Sequence, residues 1–219
     1  MGRVATGSRP CQARGRGRAR NIGWLTRREM RQCQDNQTLG DGTFQMAISL
    51  YDVSVTSYLQ TLGAVSGFLD KGLAHCQANG IDPATIVSTR LKDDMLPFVF
   101  QIVSVAHHSL GAIEGAKAGV FSPSGAVGEL DYVGLQKLVS DARTALSAMT
   151  PDEINALEGR DMVFKLGERQ MPFTVPGFLM SFSIPNLHFH ATTAYDILRQ
   201  AGVPLGKRDY LGAMRMKAA

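Results

Sequence analysis

Residues 183–202, SIPNLHFHATTAYDILRQAG, decide the fold. Asn186, Leu187, His190, Thr193, Ala194, Ile197 and Ala201 recur at three- and four-residue steps, the spacing of one face of an α-helix. Two of the five histidines lie here, and the helical period separates them. His190 falls on the face with Leu187 and Ile197. His188 falls roughly 160° away, beside Thr192, Tyr195 and Arg199, so a regular helix cannot bring both rings to one ion. The helical pattern runs from about Pro176 to Gln200 and stops at Ala201–Gly202, with Pro204 beyond. Pro185 has no N–H to give the preceding turn, which predicts a kink or a restart capped by Ser183.

Three earlier segments share that period. Tyr51, Val55, Tyr58, Leu59, Leu62, Leu69, Leu73 and Cys76 mark a helix from about Ser49 to Gln77, stopped by Asn79–Gly80. Asp82 and Pro83 then read as the cap and first residue of a short helix. Met95, Val99, Ile102, Val103, Ala106, Leu110 and Ile113 mark a second long helix. Asp93 or Asp94 is expected to cap it, with Pro97 in its first turn. Leu135, Leu138, Val139, Ala142, Leu146 and Met149 mark a third, ending near Thr150–Pro151. Between the third and the last, MVFKLGERQMPFTV changes period and predicts a hairpin turning at Gly167–Glu168, with Pro172 on an edge strand. The expected fold is all-α, a four-helix bundle with a small β-hairpin insertion before the last helix.

Charge divides the chain in two. Residues 1–45 hold nine Arg, no Lys and three acids, whereas residues 46–219 hold 14 basic and 16 acidic residues. The net charge of +4 therefore belongs to the first segment. That segment has the Arg-Gly character of a phosphate-tracking arm and the acid-poor character of a transit peptide, without an amphipathic stripe. The expectation is a disordered Arg-rich tail over 1–45, upstream of a start at Met46, and a helical domain over 46–219. A near-neutral domain offers no footprint for nucleic acid, and no partner of that kind is expected. No apolar run is long enough for a transmembrane helix, and three unpaired cysteines fit a reducing cytoplasm. Cys76 lies on the apolar face of its helix and reads as core.

Gly111, Gly115 and Gly119 repeat every four residues, a pattern that lets another helix approach within the domain or across a homodimer. The metal candidates are His107, on the border of the second helix's apolar stripe, and His190. His108 is expected to point away. Two imidazoles make an incomplete zinc site, since catalytic zinc takes three protein ligands, and Asn186 and Ala194 flank His190 at four residues. No cofactor is expected, with a divalent transition metal as the alternative. The competing reading of His190 is a buried ring bonded to Thr193, Tyr195 or a carbonyl. GVPLGKRD has one residue too few between its glycines for a phosphate loop, and Arg208 where Ser or Thr is needed.

SLYDVSV, GIDPATIVSTRLKDDMLPFVFQ and SIPNLHFHATTAYDILRQAGVPLGKRDYLG resemble the DUF1993 family of domains of unknown function over about residues 47–212. That resemblance implies a DinB/YfiT-like four-helix bundle. The wider superfamily includes metal-dependent thiol transferases with a histidine triad, one on the second helix and two spaced i, i+4 on the last. Here His190 matches one position, Asn186 stands at its partner, and His107 is near the third, so the triad is broken. The function expected is a non-enzymatic, dimeric module binding a small ligand or partner. The alternative is a thiol-transferase-type enzyme with a degenerate histidine site.

Overall fold

The computed structural model describes residues 48–125 and 128–217. The Arg-rich tail expected over 1–45, and the start expected at Met46, lie outside them. Ser49 opens the helical domain: its side chain accepts from the Asp52 amide, and the Asp52 carboxylate accepts from the Ser49 amide. This reciprocal cap starts helix α1 (Leu50–Val53), and after a step at Ser54 the path continues as α2 (Val55–Asn79). Gly80, at φ 64, ends α2 in the left-handed conformation that favours glycine. Asp82 then accepts from the Ala84 amide, with Pro83 opening α3 (Pro83–Ser88).

The second long segment starts later than its sequence suggests. Asp93 and Asp94 lie in a turn, and Pro97 itself is the cap of α4 (Phe98–Ala106). Proline supplies no side-chain cap, and the end is held from inside by Gln101, whose Nε2 donates to the Leu96 carbonyl at 2.8 Å. A π-helical turn π1 (His107–Gly111) follows, then α5 (Ala112–Ala118), closed by Gly119 at φ 74. Asp131 caps α6 (Tyr132–Ser147), and Thr150 caps the short α7 (Pro151–Asn155).

The expected hairpin is present as β2 (Asp161–Leu166) and β3 (Arg169–Thr174), antiparallel, with Leu166 opposite Arg169 across the turn at Gly167–Glu168. It is not a lone hairpin. A two-residue strand β1 (Val120–Phe121) pairs parallel to β2, Val120 opposite Val163, giving the order β1-β2-β3. The all-α class is therefore corrected to a helical fold carrying a three-stranded sheet. Pro172 lies on β3, the edge strand, where a missing donor leaves no ladder bond unmade.

The last segment runs as α8 (Val175–Phe178), a second π-turn π2 (Leu179–Ser183) and α9 (Ile184–Gln200), with Gly202 at φ 89 beyond it. Pro185 sits in the first turn of α9. Ser183 does not cap the restart: its backbone is helical and its side chain turns elsewhere. A final helix α10 (Lys207–Leu211) packs on α2, where Lys71 pairs with Asp209 at 2.6 Å.

Helices α2, α6, α4 and α9 contact one another in a closed ring. Tyr58, Leu62, Phe68, Ile102, Leu135, Leu146, Leu187 and Ile197 fill its interior. No described helix is long and apolar enough to cross a membrane. Within the domain, Gly115 of the glycine repeat makes its close approach to a strand. A Cβ on Gly115 would stand 3.0 Å from Phe121 and from the Val120 carbonyl, so the close neighbour is strand β1 and not a helix. The tightest approach is at Gly72, where a Cβ would stand 2.2 Å from the Tyr132 hydroxyl.

Candidate functional site

The two π-turns face each other and build the site. An extra residue in a helical turn leaves a carbonyl without its usual partner, and such turns recur at functional sites. Here the carbonyl of His108 in π1 is taken by the Ser183 hydroxyl of π2, which donates to it at 2.6 Å. Having donated its hydrogen, Ser183 accepts from the Tyr58 phenol at 2.8 Å. Tyr58, Ser183 and His108 thus tie α2, π2 and π1 together in the dry core, and burial raises the Tyr58 phenol well above its usual value.

His108, and not His107, is the ring that faces inward: it continues the buried face of Gln101 and Val105 at three- and four-residue steps into Ala112. Its centroid lies 5.8 Å from that of His190, with the ring planes nearly parallel at 11°. His107 instead lies on Phe121 at 4.4 Å and donates through Nε2 to the Ser122 carbonyl at 2.8 Å. The ring that stands beside His190 is thus His108, while His107 lies against Phe121. His188 stands apart on the other face of α9, near Tyr210, as the helical period requires.

His190 has a fixed tautomer. Because the Gln101 amide nitrogen donates to Leu96, its Oε1 faces His190 Nδ1 at 2.8 Å. Nδ1 carries the hydrogen, and Nε2 keeps its lone pair. Gln101 gave no signal in the sequence, and it replaces Thr193, Tyr195 or a carbonyl as the expected partner. Phe100 meets His190 edge-on at 5.8 Å, while Phe182 and Phe121 flank His108 at 5.6 and 5.7 Å. Phe189, beside them, is 56% exposed.

Both rings are neutral at ordinary pH. Burial pushes His108 down to about 3, helped by His107 and His190, and burial alone pushes His190 down to about 4. A general base works best near the operating pH, so imidazoles held this low are poor proton acceptors. One polar atom here is unmatched: Nδ1 of His108 is buried with no hydrogen-bond partner among the described residues.

The histidine triad of metal-dependent transferases does not assemble from these residues. Asn186 donates its amide to the Phe182 carbonyl at 2.7 Å, and His107 is held by Ser122. Among the described residues, no group of three or more His, Cys, Asp or Glu is placed to hold an ion. His108 and His190 alone fall short of the three protein ligands of a catalytic zinc.

Comparison with known proteins agrees with this frame. No curated protein matches the chain. A solved structure of a DinB family member protein from Shewanella denitrificans is 25% identical. It covers 78% of this chain and 96% of that one, with a TM-score of 0.66, which makes the fold DinB-like. The sequence also matches the family described as Domain of unknown function (DUF1993) over residues 50–211. That span takes in all four long helical segments and the facing π-turns, and the chain belongs to the DUF1993 family.

Proposed function

We propose that this chain is a non-enzymatic DinB-like binding module that takes a small neutral ligand at the His108–His190 pair. The observation that supports it most is the unpartnered Nδ1 of His108 inside a wall of aromatic rings. A buried polar atom without a partner costs about 1–3 kcal/mol, and a ligand offering one complementary polar group recovers that cost. Phe100, Phe121 and Phe182 suit the flat or apolar body of such a ligand. The neutral imidazoles favour an uncharged molecule, and their low basicity speaks against proton transfer.

The test is a titration of protein labelled with nitrogen-15 at histidine, using phenol, indole and benzamide as probes. The expected result is a saturable shift of the His108 and His190 ring signals by at least one probe, abolished in His108→Ala. If none of the three moves those signals while zinc shifts both at stoichiometric addition, the metal-enzyme reading takes over.

A further inference from the structure

A second cluster of chemistry-bearing side chains lies on the opposite face of α9. A cavity of about 210 Å³ is lined by Ser57, Thr61, His188, Tyr210 and Arg215, together with Gln60 and Leu211. Gln60 donates to the Leu211 carbonyl at 2.9 Å and so holds the C-terminal segment against α2. Among the described residues, no acidic side chain lines this cavity.

Counting hydrogens shows what it lacks. Thr192 donates to the Tyr210 oxygen at 2.9 Å, so the phenol must place its own hydrogen elsewhere. Its acceptors are both on His188 and both distant, Nδ1 at 3.3 Å and the carbonyl at 3.5 Å. With Nδ1 accepting, the neutral His188 ring carries its hydrogen on Nε2. Arg215 makes a single long bond, Nη1 to the Asp52 carbonyl at 3.4 Å. The rest of the guanidinium has no hydrogen-bond partner among the described residues. Ser57 and Thr61 turn their hydroxyl hydrogens back to carbonyls of α1 and α2. Asp52 borders the neighbouring cavity, which shares Ser57 and Arg215, but its carboxylate is held by the amide and hydroxyl of Ser49.

The donors left over are a cationic fork and an imidazole N–H, and the phenol hydrogen, engaged only at 3.3 Å or more, can turn from His188 to a ligand. We infer that this cavity is a binding site for a small oxyanion, a carboxylate or phosphate group, with Arg215 supplying the charge and Tyr210 and His188 the neutral donors. It is separate from the His108–His190 pair, and neither site requires the other.

Calorimetric titration of the full chain with inorganic phosphate and with malonate, at ionic strength fixed by chloride, tests it. Saturable binding of at least one is expected, weakened at least about tenfold by Arg215→Gln and less by Arg215→Lys, which keeps the charge without the fork. Tyr210→Phe is expected to weaken binding several-fold. A preference for phosphate or for malonate tells which group the site takes. Arg215 is exposed, so the unliganded melting temperature of Arg215→Gln is expected to match the wild type. Failure of both anions to bind saturably, or undiminished binding by folded Arg215→Gln, overturns the assignment.

Discussion

His190 donates its Nδ1 hydrogen to Oε1 of Gln101 across 2.8 Å, and Gln101 is held in that orientation by the Leu96 carbonyl. The pair links the start of α4 to the middle of α9 and sets the tautomer of the more accessible ring at the site. Gln101→Leu removes the acceptor and leaves a half-buried N–H. A stability loss of about 1–2 kcal/mol is expected in urea unfolding. Nitrogen-15 spectra should show the His190 hydrogen moving from Nδ1 toward Nε2. An unchanged tautomer in the variant would show that Gln101 does not set it.

Ser183 is expected to matter more than Tyr58. Ser183→Ala leaves two buried groups unmatched, the Tyr58 hydroxyl and the His108 carbonyl, whereas Tyr58→Phe leaves the Ser183–His108 bond in place. The expected costs are about 2–4 kcal/mol and about 1 kcal/mol respectively, with the double variant well short of their sum. Additive losses would mean that the three groups do not form one network.

Acid should destabilise the fold before the carboxylates titrate. His108 and His190 are held at about 3 and about 4 when folded, against an ordinary value of 6.5, and burial lowers His107 and His188 as well. Between 6.5 and those folded values the unfolded chain binds more protons, so stability falls as pH drops through that window. Above 6.5 these groups leave stability flat, and below about 3 their effect levels off. Unfolding free energies measured from pH 7.5 to 5 should decline less steeply in His190→Gln than in the wild type.

Gly72→Ala should be far more damaging than Gly67→Ala. An added methyl at Gly72 meets the Tyr132 hydroxyl, which is engaged with the Leu69 carbonyl at 2.9 Å, while nothing lies within 4 Å of one at Gly67. Overpacking of this kind costs about 1–3 kcal/mol, and in open helix an alanine gains about 1 kcal/mol over glycine. Thermal melts of the two variants should therefore move in opposite directions.

The helical period of the sequence shows the four long segments and their apolar faces, because Val55, Ile102, Leu135 and Ile197 sit where a rotation of 100° per residue puts them. It does not show the two π-turns. The apolar stripe through Val99, Val103 and Leu110 is only partly buried, whereas the buried face runs through Phe98, Gln101, Val105, His108 and Ala112. Ser109 and Ser181, one in each π-turn, reach back four residues to the carbonyls of Val105 and Gly177. Serines in mid-helix were the available signal, since such back-bonding bends helices. Strand β1 has only two residues, too few to show a period, and its pairing to β2 comes from tertiary contact. Gln101 could not be read at all: a polar residue at the edge of an apolar stripe looks the same whether it faces water or a histidine.

The central claim is that His108 and His190 form a binding pair without a resident metal. Metal analysis of the full chain, purified without chelator or histidine tag beside His190→Ala, tests it most directly. Well under one ion per chain in both proteins is expected, with His190→Ala only modestly less stable. About one zinc, nickel or iron per chain in the wild type, lost in His190→Ala, would contradict it.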